Sequence, residues 1–562
     1  TSGTGEIVSG RVLDPNGKPI VNAKVFAEPS GRTRNMTLTN DRGIYAFVGL
    51  HSNSTYTIRP EAEGYVFSSR SVGTLRSRDE SARSGNRWGI DFYAETVLNP
   101  PPPGFIFVDV DAPGDPGPGD AATSDPSEDG SAEHPFDAIQ EAIDVAVPGD
   151  TVVVLCGTYT GGGNRDLDFK GKAITVRSED PNDPNLVIIE CNGTQDSPHR
   201  GFEFHSYETP LSVLDGLTIT GGYYERGGGM YCGDCARPTV INCTFRENSA
   251  SLGGGAYNDS GPTLTNCTFS ANSAEGGGGI YNNGEEAECN PALIDCTFYG
   301  NTATHNGGGM YNLGRHAKPT LTGCEFIQNS VSGGGGGAIR NNLSGSPILI
   351  NCLFSGNSAA KFGGGIRNSN GGNTKLTNCT FGANSGSNGN ALAFTPDDAD
   401  SRAPCVLEVV NCIFWDGGDE IYNGDNSILL ITYSNVQEGG VRGPWPGQGN
   451  IDMDPHFADP DNGDCHLKSE AGRWDPNSQG WVQDVITSRC IDAGDMSNPI
   501  GLEEFPNGGV INMGAYGGTA EASKSYFGSE VCETIVAGDI NGDCKVDFAD
   551  FALMAAHWLG RR

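Results

Sequence analysis

Seven segments of this chain repeat one short phrase: Asn242-Cys-Thr-Phe, Asn266-Cys-Thr-Phe, Asp295-Cys-Thr-Phe, Gly323-Cys-Glu-Phe, Asn351-Cys-Leu-Phe, Asn378-Cys-Thr-Phe and Asn411-Cys-Ile-Phe. Successive cysteines from Cys243 to Cys412 stand 24, 29, 28, 28, 27 and 33 residues apart. A unit this short cannot bury an apolar face by itself, so neighbouring units must stack and share one continuous core. The spacing predicts a solenoid.

Within the phrase, Cys and Phe sit at i and i+2 and share one strand face, the inner one, since both belong in protein interiors. Five residues after each of the first six cysteines comes an asparagine: Asn248, Asn272, Asn301, Asn329, Asn357 and Asn384. Asparagine favours turns, and identical asparagines stacked one per coil can hydrogen-bond along the stack. A glycine run then opens a further strand, as in Gly227-Gly-Gly-Met-Tyr, Gly277-Gly-Gly-Ile-Tyr and Gly363-Gly-Gly-Ile-Arg. Two or three short strands in a coil of about 28 residues fit a parallel β-helix. Helical repeats of roughly 34 to 47 residues need amphipathic helices absent here, and a propeller blade needs about 40 residues. The expected fold class is all-β.

The 562 residues leave room for several domains. With 35 basic against 70 acidic residues, the net charge of −35 disfavours nucleic acid and anionic membranes and favours divalent cations. No apolar run approaches the roughly 18 residues of a membrane-spanning helix. The chain opens on Thr1 rather than Met, which reads as a processed end and implies secretion to the cell surface or beyond. The cysteines of the repeat read as a column of small buried hydrophobes. Cys232 and Cys235 form a lone Cys-x-x-Cys, readable as zinc ligands or as a local disulfide, with Cys289, Cys405, Cys465 and Cys490 as other disulfide candidates.

Four regions emerge: 1–97, 98–134, 135–529 and 530–562. In the first, Val8-Ser-Gly-Arg-Val-Leu-Asp-Pro-Asn-Gly-Lys-Pro-Ile and Asn40-Asp-Arg-Gly-Ile-Tyr-Ala-Phe alternate apolar and polar residues between turn signals, as in an antiparallel sandwich. These phrases resemble the carboxypeptidase regulatory-like domain, which implies a β-sandwich used for presentation or adhesion. Residues 98–134 read as a Pro-rich linker, stiffened by Pro100 to Pro103, and an acidic loop holding Asp109, Asp111, Asp115 and Asp120. Apolar residues at 136, 139, 143 and 146 then make a helical stripe before Gly149-Asp-Thr-Val-Val-Val-Leu. That pattern resembles the N-terminal cap of pectin-lyase-like right-handed β-helices, and the repeats resemble the polymorphic-outer-membrane-protein type. The segments Tyr433-Ser-Asn-Val, Asp452-Met-Asp-Pro-His-Phe and Cys490-Ile-Asp-Ala-Gly-Asp look like the end of secreted bacterial β-helix proteins with alternative C-terminal anchors.

At the C-terminus, Asp539, Asn541, Asp543, Asp547 and Asp550 occupy positions 1, 3, 5, 9 and 12 of a loop, with the Lys545 carbonyl at 7. This is EF-hand-like calcium spacing. The segment resembles a single dockerin type I repeat, with Cys544 where the family's glycine is expected.

A polysaccharide-cleaving β-helix would gather carboxylates across neighbouring coils, with a base nearby. From 243 to 384 the outward positions near the phrase carry isolated charges, Arg246 and Glu247, Asp295 and Glu325, so no catalytic residue is assigned there. Irregular loops offer two alternatives: Asp166, Asp168, Glu203 and His205, or Asp452, Asp454 and His456. One outward column, Tyr231, Tyr257, Tyr281, Tyr311, Arg340 and Arg367, reads as exposed stacked side chains or as a ligand-docking stripe for glycan or protein. The reading that best joins these parts is a non-enzymatic extracellular structural or adhesive protein, self-assembling head to tail or holding cell-surface glycans. The alternative is a secreted polysaccharide-binding or polysaccharide-cleaving enzyme.

The calcium loop generates a direct expectation. Asp543→Ala should weaken calcium uptake measured by calorimetry while the solenoid keeps its fold. Equal uptake by the full chain and by a chain ending at Ser529 would remove the assignment.

Overall fold

The computed structural model describes residues 6–110, with breaks at 15–16, 30–34, 52, 63–64, 75–85, 95 and 98–103, followed by 128–396, 403–438 and 444–526. The expected calcium loop, with Asp539, Asn541, Asp543, Lys545, Asp547 and Asp550, lies outside the described residues. Two units form, Thr1–Gly104 and Phe105–Arg562.

In the first unit, Glu6–Leu13 alternates buried and less buried residues, as a strand with one face in a core must. It lies between Ile44–Leu50 and Phe92–Tyr93 in one sheet, while Lys24–Pro29 and Thr55–Glu61 are the central strands of a four-stranded antiparallel sheet. Val8, Val12, Val25, Tyr45, Phe47, Tyr56, Ile58 and Phe92 join the two sheets in one core.

The second unit winds as a parallel solenoid. One sheet has twelve strands, from Phe105–Val108 to Ile428–Thr432; a second has eleven, from Gly157–Tyr159 to Asn435–Val436; a third has ten, from Leu167–Asp168 to Ile421–Asn423. A fourth, of seven strands, runs from Tyr223–Arg226 to Ser385–Asn388. The central coils therefore hold four strands, more than the sequence reading allowed. The solenoid also starts earlier than 135. Phe105-Ile-Phe-Val, placed by the sequence reading in the linker, pairs with Thr151–Val154 as the first strand of the first sheet. Its outer edge is covered by backbone bonds to Gly130 and Phe136, and the helix Ile139–Val145 buries Ile139, Ala142 and Ile143 in the same core.

The repeated phrase is explained by its corners. The residue before each column cysteine has a left-handed backbone: Asn242 (φ 52), Asn266 (50), Asp295 (50), Gly323 (63), Asn351 (52), Asn378 (49) and Asn411 (56). Asn, Asp and Gly are the residues that adopt this conformation at low cost. Between these corners the phenylalanines stack from Phe245 to Phe414, with centroids 4.4–5.1 Å apart. The cysteines are buried and free, and burial pushes the Cys243 thiol up to about 12, so it stays protonated and unreactive. Cys232 is buried and Cys235 exposed, both free, as are Cys289, Cys405, Cys465 and Cys490, so the disulfide alternatives are corrected.

The asparagines form the expected ladder. Asn272 Nδ2 donates to Asn301 Oδ1 at 2.9 Å and to the Phe245 carbonyl at 2.9 Å, while its own Oδ1 accepts from the backbone N–H and Nδ2 of Asn248. The pattern continues through Asn329 and Asn357 to Asn384. Each amide is fully satisfied, which a buried amide requires. A parallel ladder joins Asn258, Asn282, Asn312, Asn341 and Asn368 at 2.8–2.9 Å. The glycine run lies where no side chain fits: a Cβ on Gly255 would stand 2.7 Å from both the Gly279 carbonyl oxygen and the Phe269 ring.

After the last coils, residues 457–526 fold back over the outer face of the second sheet. Asn351 Nδ2 donates to the Ala515 and Gly517 carbonyls, both at 2.8 Å, and Asn378 Nδ2 to the Asn512 carbonyl at 3.0 Å. Leu353, Ile413, Phe457, Leu467, Met513 and Ala515 bury together beneath this strap.

The first ladder ends on an acid. Asn384 donates its backbone N–H and Nδ2 to Asp416 Oδ1 at 2.7 and 2.9 Å, and the Asp416 backbone N–H donates to Glu420 Oε1 at 2.8 Å. Burial, then the Glu420 charge, raises Asp416 well above the usual carboxylate range. A carboxyl raised by folding contributes its full stability below the unfolded value and loses it as pH climbs through the folded one. Asp416→Asn should therefore leave the melting temperature near pH 4 unchanged and raise it by a few degrees at pH 8, flattening its pH dependence. Thermal scans across that range are the check.

Candidate functional site

The outward column of the third sheet is where sequence and structure meet. Strand register places Asp168 beside Glu203, Glu203 beside Tyr231, and then Tyr257, Tyr281, Tyr311, Arg340 and Arg367 in turn. The stripe is thus the continuation of a carboxylate pair, a continuity that the irregular lengths of the early coils conceal in the sequence.

The two halves of the column differ in exposure because the fourth sheet begins only at Tyr223. Farther along, its strands roof the column. Tyr257 is 2% exposed and Arg340 0%, and Tyr281, Tyr311 and Arg367 are buried too. Leu252 of the fourth sheet packs against the tyrosines, Arg226 lies over the Tyr257 ring, and Phe362 lies under Arg367. The expected column of exposed rings is corrected: it is a second, satellite core outside the main one. Its rings stack, Tyr231 on Tyr257 at 5.9 Å and Tyr257 on Tyr281 at 5.2 Å, before Tyr311 turns edge-on. Burial raises the Tyr257 and Tyr281 phenols. Tyr231, at the rim, is half-buried; burial, then the Asp259 charge, raises it to about 12.

Before the roof begins, Asp168, Glu203 and His205 come together. His205 Nε2 lies 3.4 Å from Asp168 Oδ2 and 3.8 Å from Glu203 Oε2. Beneath them runs Arg200, 4% exposed, its Nε 3.5 Å from Glu203 Oε1 and its guanidinium 3.6 Å over the Tyr224 ring. Burial lowers the Arg200 pKa, and the Glu203 charge opposes that shift. Two carboxylates, an imidazole and a buried guanidinium beside tyrosine rings can bind a sugar polymer or exchange protons with one. Asp166, the fourth residue of this alternative, turns away to His199.

The other alternative is brought together in part. His456 donates its backbone N–H to Asp454 Oδ1 at 2.8 Å, and both line a cleft of about 880 Å³ with Glu470, Arg489 and Asp492. Asp452 is not among its lining residues. Beside the cap helix, Glu128, Asp137 and Glu141 bring carboxylate oxygens within 4.8 Å of one another, a donor set of the hard type that suits calcium or magnesium.

A family model described as the right-handed beta helix region matches residues 164–326 and 255–437. The solenoid is a right-handed parallel β-helix. The model of the carboxypeptidase regulatory-like domain matches 7–83, and one described as disaggregatase related matches 428–494, the last coil and the start of the strap. A solved structure of pectate lyase Pel9A aligns with a TM-score of 0.39 at 13% identity, over 74% of this chain and 96% of that one. No curated protein sequence matches. No helix among the described residues is long and apolar enough to cross a membrane.

Because the tyrosine column is a packed core, truncating it should cost stability. Tyr281→Ala should lower unfolding free energy by about 3 kcal/mol, in the range for large aromatic truncations, measured by urea titration. A change below about 0.5 kcal/mol would mean that the roof does not hold the column.

Proposed function

We propose that this protein is an extracellular structural or adhesive rod whose β-helix acts as a rigid spacer and whose copies assemble head to tail. One observation carries the reading: through the six coils from Cys243 to Asn384, ladders and stacks run unbroken, and the outward column that could have held chemistry is sealed under a fourth sheet. Buried, satisfied and repetitive interiors confer stiffness without a reaction centre. The acidic surface keeps such rods soluble, and the C-terminal loop would supply a calcium clip. Heterologous contacts that do not close into a ring build filaments. Negative-stain images and sedimentation of the full chain at high concentration with calcium should show rods joined end to end. A monomer under those conditions would exclude assembly and leave a single-copy adhesin.

A second reading has its own support in the cluster of Asp168, Glu203, His205 and Arg200, which suits an acidic polysaccharide less well than a neutral or amino sugar, since two carboxylates face outward. Incubation with pectate, alginate, sulfated glycans and neutral polymers, followed for new reducing ends and unsaturated products, should show no turnover if the rod reading holds. Turnover lost in Asp168→Asn would replace it with an enzyme.

A further inference from the structure

One corner before Asp168, the chain places a serine, a histidine and an aspartate in a line. The Asp166 carboxylate accepts a hydrogen bond from His199 Nδ1 at 2.6 Å and another from the Arg200 backbone N–H at 2.9 Å. His199 Nε2 lies 3.1 Å from Ser197 Oγ. The carboxylate on Nδ1 sets the tautomer, so the Nε2 lone pair is left to accept the serine proton.

The frame around these residues is fixed by backbone bonds. His199 exchanges two with Tyr223, at 2.9 and 2.8 Å, and the Asp166 N–H donates to the Arg200 carbonyl at 2.7 Å. Asp166 itself sits at a left-handed corner (φ 54), which turns its side chain away from the Asp168 cluster. Ser197 closes a turn, its N–H donating to Thr194 Oγ1 at 3.1 Å and its carbonyl accepting from the Thr194 N–H at 2.9 Å. Serine, imidazole and carboxylate are thus each held at hydrogen-bond distance in the order that activates a hydroxyl, and such a set is recognised by geometry and roles rather than by position in the chain.

We propose that Ser197, His199 and Asp166 form a nucleophilic site that hydrolyses small acyl esters. Ser197 Oγ would attack the ester carbonyl carbon as its proton passes to His199 Nε2. The C–O bond to the alcohol then breaks, and the departing alkoxide takes that proton. Water, deprotonated by the same Nε2, attacks the acyl-serine, releasing the carboxylic acid and restoring the Ser197 hydroxyl. Asp166 holds the imidazole and balances its transient positive charge. Ser197 is exposed on its loop, so the acyl group need not thread a channel. An acetyl ester carried on a polymer is the substrate class that fits. This site stands apart from both readings above, since neither a spacer rod nor glycan cleavage at Asp168 and Glu203 uses Ser197.

The test treats the full chain with a fluorophosphonate and with p-nitrophenyl acetate and butyrate. A single covalent adduct should map to the peptide containing Ser197. Its rate of formation should fall roughly 100-fold in His199→Gln, the scale of general-base catalysis, and by a smaller factor in Asp166→Asn. Ser197→Ala should abolish both the adduct and acetate hydrolysis while leaving the thermal melt unchanged, and acetate should be cleaved faster than butyrate. No adduct, an adduct formed no faster than in the urea-unfolded chain, or labelling unaffected by His199→Gln would overturn the proposal and leave the three residues as a brace for their loop. Loss of labelling in a His199→Gln chain that has also lost its melt would leave Ser197→Ala to decide.

Discussion

The buried amide ladder is the constraint on which the rest of this β-helix depends. An asparagine in an apolar interior is costly unless all its donors and acceptors are met, and here they are met by the asparagines one coil above and one coil below together with a phenylalanine backbone carbonyl of the preceding coil. A slip of one residue in any coil would break the contacts of two amides at once. Insertions are tolerated elsewhere in the coil, which is why the cysteine spacing varies from 24 to 33 while the step from cysteine to asparagine does not. Register fixed at that corner carries the phenylalanine stack, the cysteine column and the glycine corner along with it.

The length of the fourth sheet then decides which outward residues can meet other molecules. Where its seven strands run, the tyrosines and arginines of the third sheet become interior residues. Where it has not yet begun, Asp168 and Glu203 of the same column remain accessible, with His205 beside them. At the far end, past its last strand, Tyr422 of that column is again exposed. Which outward residues stay accessible is thus set by where a supporting layer stops.

Much of this was legible in the sequence, and the misses have physical causes. The phrase around Cys243 to Cys412 shows the coil, its inner strand and the asparagine ladder, because those positions repeat at a fixed offset. The fourth strand escaped notice because Ser249–Leu252 and Ser273–Gly276 are short and polar and run straight on from the ladder asparagine, so their shared Ser-Ala start reads as part of the turn. Reading Tyr257 and Arg340 as exposed followed from strand alternation alone, which says that a side chain leaves one core but not whether another layer lies outside. Phe105-Ile-Phe-Val was masked by the proline run before it and the acidic stretch after it. The grouping of Asp168 with Glu203 and His205 was suggested by residue type, whereas the pairing of Ser197 with His199 and Asp166 needed coordinates, since a residue 31 positions earlier completes it.

The backbone hydrogen bonds between coils in all four sheets run from one coil to the next, along the solenoid axis. Tension along that axis stretches every such bond of an inter-coil interface together, with side-chain amides pulling beside the peptide groups. Peeling a coil from an end loads them one after another. The same molecule is therefore strong as a tether and weak as a zipper. The strap bonded to Asn351, Asn378 and Asn411 stands against the second kind of failure by lashing three neighbouring coils to a single segment of chain.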